Sequence, residues 1–122
     1  MALDISNNNV VRLTRGDTFT VPLFLNKGTA LKPLRYTVKE GDEVYLAIME
    51  PNQPFESAIL KKVFTHENLN EYGDVLIELE PDDTQCLVPG KYYYQVKAKF
   101  IKENDKIVVN TVVPKTEFWI EE

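Results

Sequence analysis

Alternation of apolar and polar residues with a period of two runs through most of this chain and narrows its possible folds more than any other feature. In DTFTVPLFLN, Phe19, Val21, Leu23 and Leu25 fall on one face. In EVYLAIME, Val44, Leu46 and Ile48 do the same, and in DVLIELE, Val75, Ile77 and Leu79. KYYYQVKAKF aligns Tyr92, Tyr94, Val96, Ala98 and Phe100 against Gln95, Lys97 and Lys99. Neighbouring strand residues point to opposite faces, so this spacing marks strands with one face buried. Weaker runs at VRLTR, SAILKKVFT, KIVVNTVV and TEFWIEE complete the set.

Turn signals stand between these runs: RGD, NKG, KEGD, EPNQP, NEYGD, PDDT, VPGK and KEND. Gly, Pro, Asn and Asp each favour a chain reversal for a separate steric or hydrogen-bonding reason. The pattern predicts an all-β fold, an antiparallel immunoglobulin-like β-sandwich of seven or eight short strands. One short helical turn is expected near residues 81–87, in PDDTQCL, capped by Asp82 or Asp83 and ended by Pro89-Gly90. Residues 1–9, rich in Asn, are expected to form a flexible arm, and 10–122 a single β-sandwich domain.

Bulk properties then exclude several classes. A chain of 122 residues hides about two-thirds of its unfolded surface, enough for one real core. A net charge of −5 argues against a broad surface for a phosphate backbone, so no nucleic-acid partner is expected. The strand face carrying Lys97 and Lys99 is a narrow basic exception. Cys86 is the only cysteine and His66 the only histidine, which removes an intramolecular disulfide and a Cys/His zinc site. No metal or cofactor is expected. MALDISNNNV lacks the basic-then-apolar pattern of a secretory signal. No run reaches the roughly 20 apolar residues of a membrane helix, so no membrane insertion is expected.

No constellation supports catalysis. Arg15-Gly16-Asp17 matches an adhesion tripeptide, but it lies between two strand runs, where Gly supplies unusual backbone angles and Asp bonds the main chain ahead. It is read as a turn. The carboxylates Glu80, Asp82 and Asp83, and likewise Glu40, Asp42 and Glu43, lack the spacing of a calcium loop. They are read as a capped turn and a solvated hairpin. His66 has no Ser or Cys nucleophile motif beside it. Cys86 is expected to be a small buried thiol. The chain is not expected to be an enzyme.

The aromatics are more informative. Parity places Tyr93 opposite Tyr92 and Tyr94, Tyr45 opposite Val44 and Leu46, Trp119 opposite Phe118 and Ile120, and Phe24 opposite Leu23 and Leu25. Phe24, Tyr45, Tyr93 and Trp119 therefore form a candidate interaction surface on outer faces. Two readings stand: an interface for a partner, or a patch covered by the chain's own loops or arm.

The order R-G-D-T-F at 15–19, E-G-D-E-V-Y at 40–45, P-D-D-T at 81–84, L-V-P-G-K-Y-Y-Y-Q-V at 87–96 and T-E-F-W-I at 116–120 resembles a known family. It is similar to the N-terminal β-sandwich module of phage and prophage baseplate upper proteins, over about Val10 to Ile120. The resemblance implies a non-enzymatic virion structural protein, a tail or baseplate assembly module made in the bacterial host cytoplasm. Its partners would be other phage tail and baseplate proteins, with self-association open. The matching positions are structural: Gly16 and Asp17 at the first turn, Asp83 and Thr84 at the capped turn, and Gly90 before Tyr92 and Tyr94. Longer members of the family continue into a helical stalk that has no match here. The alternative is a module binding host cell-surface carbohydrate by stacking sugars on exposed aromatics. A weaker one is an inhibitor that adds a strand to a partner's sheet edge.

Overall fold

The computed structural model describes residues 3–5, 10–23, 25, 32, 36–101 and 105–122. Phe24 lies outside them. Eight strands occur among the described residues: β1 (Leu3–Ile5), β2 (Val11–Thr14), β3 (Phe19–Leu23), β4 (Glu43–Met49), β5 (Leu60–Phe64), β6 (Val75–Leu79), β7 (Gly90–Ile101) and β8 (Ile107–Glu121). One α-helix, α1 (Pro81–Gln85), precedes β7. The strands form a six-stranded sheet, ordered β1-β2-β8-β7-β4-β5, and a two-stranded sheet, β3-β6. The chain is a mostly-β, sandwich-like domain of two sheets with one short helix. Of the expected arm, Leu3–Ile5 pairs with β2 at the sheet edge.

Alternation puts the core between the sheets. Val44, Leu46 and Ile48 of β4 and Val96 of β7 share one buried cluster with Phe19, Val75, Ile77 and Leu79 from the smaller sheet. Each such side chain removed from water stabilises the fold by about 1.5–3 kcal/mol. Along one side this core leaves an apolar cavity of about 160 Å³, walled by Val21, Leu23, Leu46, Tyr94, Val96 and Val113 among others.

Pairing is not wholly antiparallel. β2 runs parallel to β8, Val11 opposite Phe118 through Thr14 opposite Glu121. The reason lies in the turn after β2. Asp17 N–H donates to Thr14 O at 3.0 Å, and the chain then crosses to the smaller sheet as β3 rather than folding back on β2. β2 is left beside the final strand, which runs the same way. Nor are all the strands short. KIVVNTVV and TEFWIEE merge into one 15-residue strand, joined through register shifts opposite Tyr94–Lys97. Pro114 is tolerated because β8 at that point has no second neighbour among the described residues, so no ladder bond is lost.

β4 is apolar on both faces for a reason periodicity did not supply. Ala47 and Met49 point away from the core, yet both are fully buried. The 3-10 turn Phe55–Ser57 folds back against β4 on that side. Beside Tyr93, the residue opposite Met49, the Tyr92 hydroxyl donates to Val88 O at 2.6 Å, clamping the link from α1 into β7. Replacing Tyr92 by Phe removes one such bond, an expected loss of about 1 kcal/mol, or about 4 °C in a thermal melt. An unchanged midpoint would mean that the Val88 carbonyl is equally well served by water.

Candidate functional site

The outer face of the six-stranded sheet gathers the exposed-face aromatics. Strand register sets Trp119 between Arg12 on β2 and Lys91 on β7, and Tyr93 between Glu117 on β8 and Met49 on β4. Tyr45 lies further along β4, between Lys97 and Val63. All three rings are half-buried. Tyr93 and Trp119 are neighbours and share one cation: the Lys91 ammonium is 5.4 Å from the first ring centroid and 5.9 Å from the second. Arg12 lies 5.0 Å over the far side of Trp119, and Lys115 5.4 Å over Tyr93.

Tyr45 is separated from that pair by two turns of the pleat, and Phe55 lies in the region between. Sequence reasoning missed Phe55, because it sits in the irregular EPNQPFES stretch where parity has no meaning. Lys97 and Lys61 lie 4.5 and 5.1 Å over its ring. The one legible signal was the basic strand face carrying Lys97 and Lys99, of which Lys97 lies over the ring. Cations over ring faces are attracted by the ring quadrupole, each by about 0.5–1 kcal/mol at exposed sites.

Carboxylates balance part of this charge. Lys91 pairs with Glu117 at 3.5 Å, Lys99 with Glu43 at 3.6 Å and Arg12 with Glu121 at 3.9 Å. The Tyr45 hydroxyl donates to Glu43 at 2.8 Å. Burial, and then the Glu43 carboxylate, raise the Tyr45 hydroxyl above its ordinary range. Contact with the Tyr93 side chain, and then Glu117, hold the Lys91 ammonium above its own.

The turn residues occupy a separate region. Gly16, at φ +84°, donates its N–H to Thr84 Oγ1 at 2.9 Å, linking the turn before β3 to α1 after its partner β6. Thr84 is fully buried. Asp83 accepts from the Glu80 N–H at 2.7 Å and pairs with Lys62 at 2.8 Å. The helix therefore starts at Glu80 as N-cap, with Pro81 in its first turn, and Asp83 caps it from the third helical position by closing the capping box. Gly90 opens β7 opposite Ile120.

Two expectations are corrected. Asp42 is 1% exposed rather than part of a solvated hairpin. Its carboxylate accepts from the Tyr36 hydroxyl, from Lys39 N–H at 3.2 Å and from Ile101 N–H at 3.1 Å. Those bonds offset its removal from water. Cys86 is exposed rather than buried, because it caps the C-terminal end of a one-turn helix whose inward residue is Thr84.

The inter-sheet cavity is apolar apart from the Tyr94 hydroxyl among its described walls. His66 is exposed at the start of a 3-10 turn. Among the described residues, no three His, Cys, Asp or Glu side chains are placed to hold a metal ion, and no helix is long and apolar enough to cross a membrane. The chain is thus defined by its fold as a two-sheet β domain and by its surface as a carrier of an aromatic strip interleaved with cations. No family model, curated protein or solved structure matches it.

Proposed function

We propose that this domain is a non-enzymatic structural module of a phage or prophage virion. It acts in tail or baseplate assembly by protein–protein contact through the outer face of its larger sheet. The observation that carries the proposal is the strip formed by Trp119, Tyr93 and Phe55 with Arg12, Lys91, Lys97 and Lys115. Aromatic residues and arginine are enriched where interfaces concentrate their binding energy.

At its finer level we read the fold as an immunoglobulin-like sandwich. β8-β7-β4-β5 follows the G-F-C-C′ order of a variable-type sheet, and β3-β6 supplies the B–E pair of the opposite one. Tyr92, near the start of the F-equivalent strand and bonded four residues back, occupies the tyrosine-corner position. The motif order resembling baseplate modules adds the virion context, with the protein made in the bacterial host cytoplasm. Carbohydrate stacking is the weaker reading, since it calls for open ring faces and both Trp119 and Tyr93 lie beneath cationic side chains.

The test is a prophage encoding Trp119→Ser with Tyr93→Ser, induced, with the particles purified and the chain quantified by peptide mass spectrometry. A folded double variant is expected to be incorporated at least about tenfold less than the wild type, as loss of two central anchors implies. Undiminished incorporation would remove this face from the proposal. Intact wild-type particles that lack the chain altogether would sink the assembly reading itself.

A further inference from the structure

Charge is divided between two distinct surfaces of the sandwich. From His66 to Gly90 the chain carries seven carboxylates and neither lysine nor arginine. Three of them, Glu67, Glu78 and Glu80, line a polar groove of about 410 Å³ between β5 and β6. The cation in its described wall, Lys62, is taken by Asp83. Glu78, hydrogen-bonded to Glu80 and repelling its charge, raises the Glu80 carboxyl above its usual range, as expected where two acids crowd. This groove is electrostatically short of a cation.

The aromatic face has the opposite character. Of its six cations, Arg12, Lys91 and Lys99 have carboxylate partners. Lys61, Lys97 and Lys115 make no ion pair among the described residues. They rest on ring faces instead, and two of them donate to main-chain oxygens, Lys61 to Glu56 O and Lys115 to Gln53 O. These ammonium groups are available to a carboxylate that approaches the sheet.

We infer that the partner seated on the aromatic face is a second copy of this chain, whose Glu67–Glu78–Glu80 groove receives Lys61, Lys97 and Lys115. The complementarity is internal to one sequence, so no other partner has to be invoked to match it. The inference rests on the assembly reading, since it uses the same face. The inferred contact is head-to-tail, with the groove of one copy on the lysine face of the next. Each copy keeps one surface unsatisfied, and association continues until a ring closes or a stack grows. Both surfaces are solvent-accessible, so the attraction is screened by salt.

The test is sedimentation velocity on the full chain at about 20 mM and about 300 mM ionic strength, conditions on either side of strong screening. The wild type is expected to associate at low salt and to dissociate at high salt. Lys97→Glu with Lys115→Glu, and separately Glu78→Lys with Glu80→Lys, are each expected to weaken self-association at least tenfold. Mixed in equal amounts, the two variants should associate again, because each now matches the other. Lys97→Gln with Lys115→Gln provides a milder pair if the reversal disturbs folding. A wild type that stays monomeric at low salt overturns the inference, as does a mixture of folded variants that fails to associate. If the wild type is monomeric while the Trp119/Tyr93 variant is still lost from particles, self-stacking falls and assembly through that face stands. If the chain stacks in solution but is missing from particles, self-stacking stands and the assembly reading falls.

Discussion

Replacing Asp42 with Ala is expected to lower the unfolding free energy by about 3–5 kcal/mol, the range for breaking a buried charged network. The carboxylate is almost wholly enclosed and serves three donors, the Tyr36 hydroxyl and the main-chain N–H groups of Lys39 and Ile101. Ile101 is 59 residues away, so this one side chain ties the approach to β4 to the far end of β7. Alanine leaves all three donors without their acceptor. Asp42→Asn would keep one oxygen but turn an NH₂ toward a donor, for an intermediate loss of about 2 kcal/mol. Urea titration of both variants checks the order. A loss under about 1 kcal/mol for D42A would mean that water replaces the carboxylate freely. The pair also has a pH signature. Burial first, and then Asp42, push the Tyr36 hydroxyl well above its ordinary range. A raised folded-state value means the contribution is intact below the unfolded tyrosine value of about 10 and is lost as pH climbs beyond it.

Gly16→Val is expected to cost about 2–3 kcal/mol, from strain that a β-branched residue suffers at positive φ. Gly16 has φ +84°, and a Cβ there would stand 2.4 Å from Gln85 Oε1. The Gln85 side-chain end can swing aside, so the backbone strain dominates, together with any loosening of the Gly16–Thr84 bond. Gly16→Asn tolerates the left-handed region and should cost about 1 kcal/mol or less. Equal losses for the two variants would show that crowding, not backbone conformation, controls the site. The same geometry answers the Arg-Gly-Asp question in structural terms. The Gly16 amide is bound by Thr84, the Asp17 amide by Thr14, and the Arg15 amide by Glu121 O at 2.7 Å.

Local patterns in the sequence carried the strands, the two-sheet class and the short helix, because burial on one face leaves its mark at every second residue. Parity was enough to separate Tyr93 from Tyr92 and Tyr94. It failed where burial is decided by a distant segment. Ala47 and Met49 are enclosed by a 3-10 turn rather than by the core, and Asp42 is enclosed by partners that include Ile101. The parallel pairing of β2 with β8 joins the two ends of the fold, and no short-range signal encodes it. Phe55, and its meeting with Lys61 and Lys97, escaped for the same reason. That meeting depends on how a turn folds over a sheet, not on spacing along one strand.

That parallel pair also governs how the domain bears tension. A pull applied between the start of β2 and the end of β8 acts along both strands in opposite directions. The rungs from Val11/Phe118 to Thr14/Glu121, reinforced by the Arg15–Glu121 bond, are then sheared together instead of being peeled one at a time. Forced unfolding is a matter of the rate at which such a clamp gives way. Joined to its neighbours through these two strands, the domain would behave as a stiff link, yielding abruptly rather than stretching by degrees.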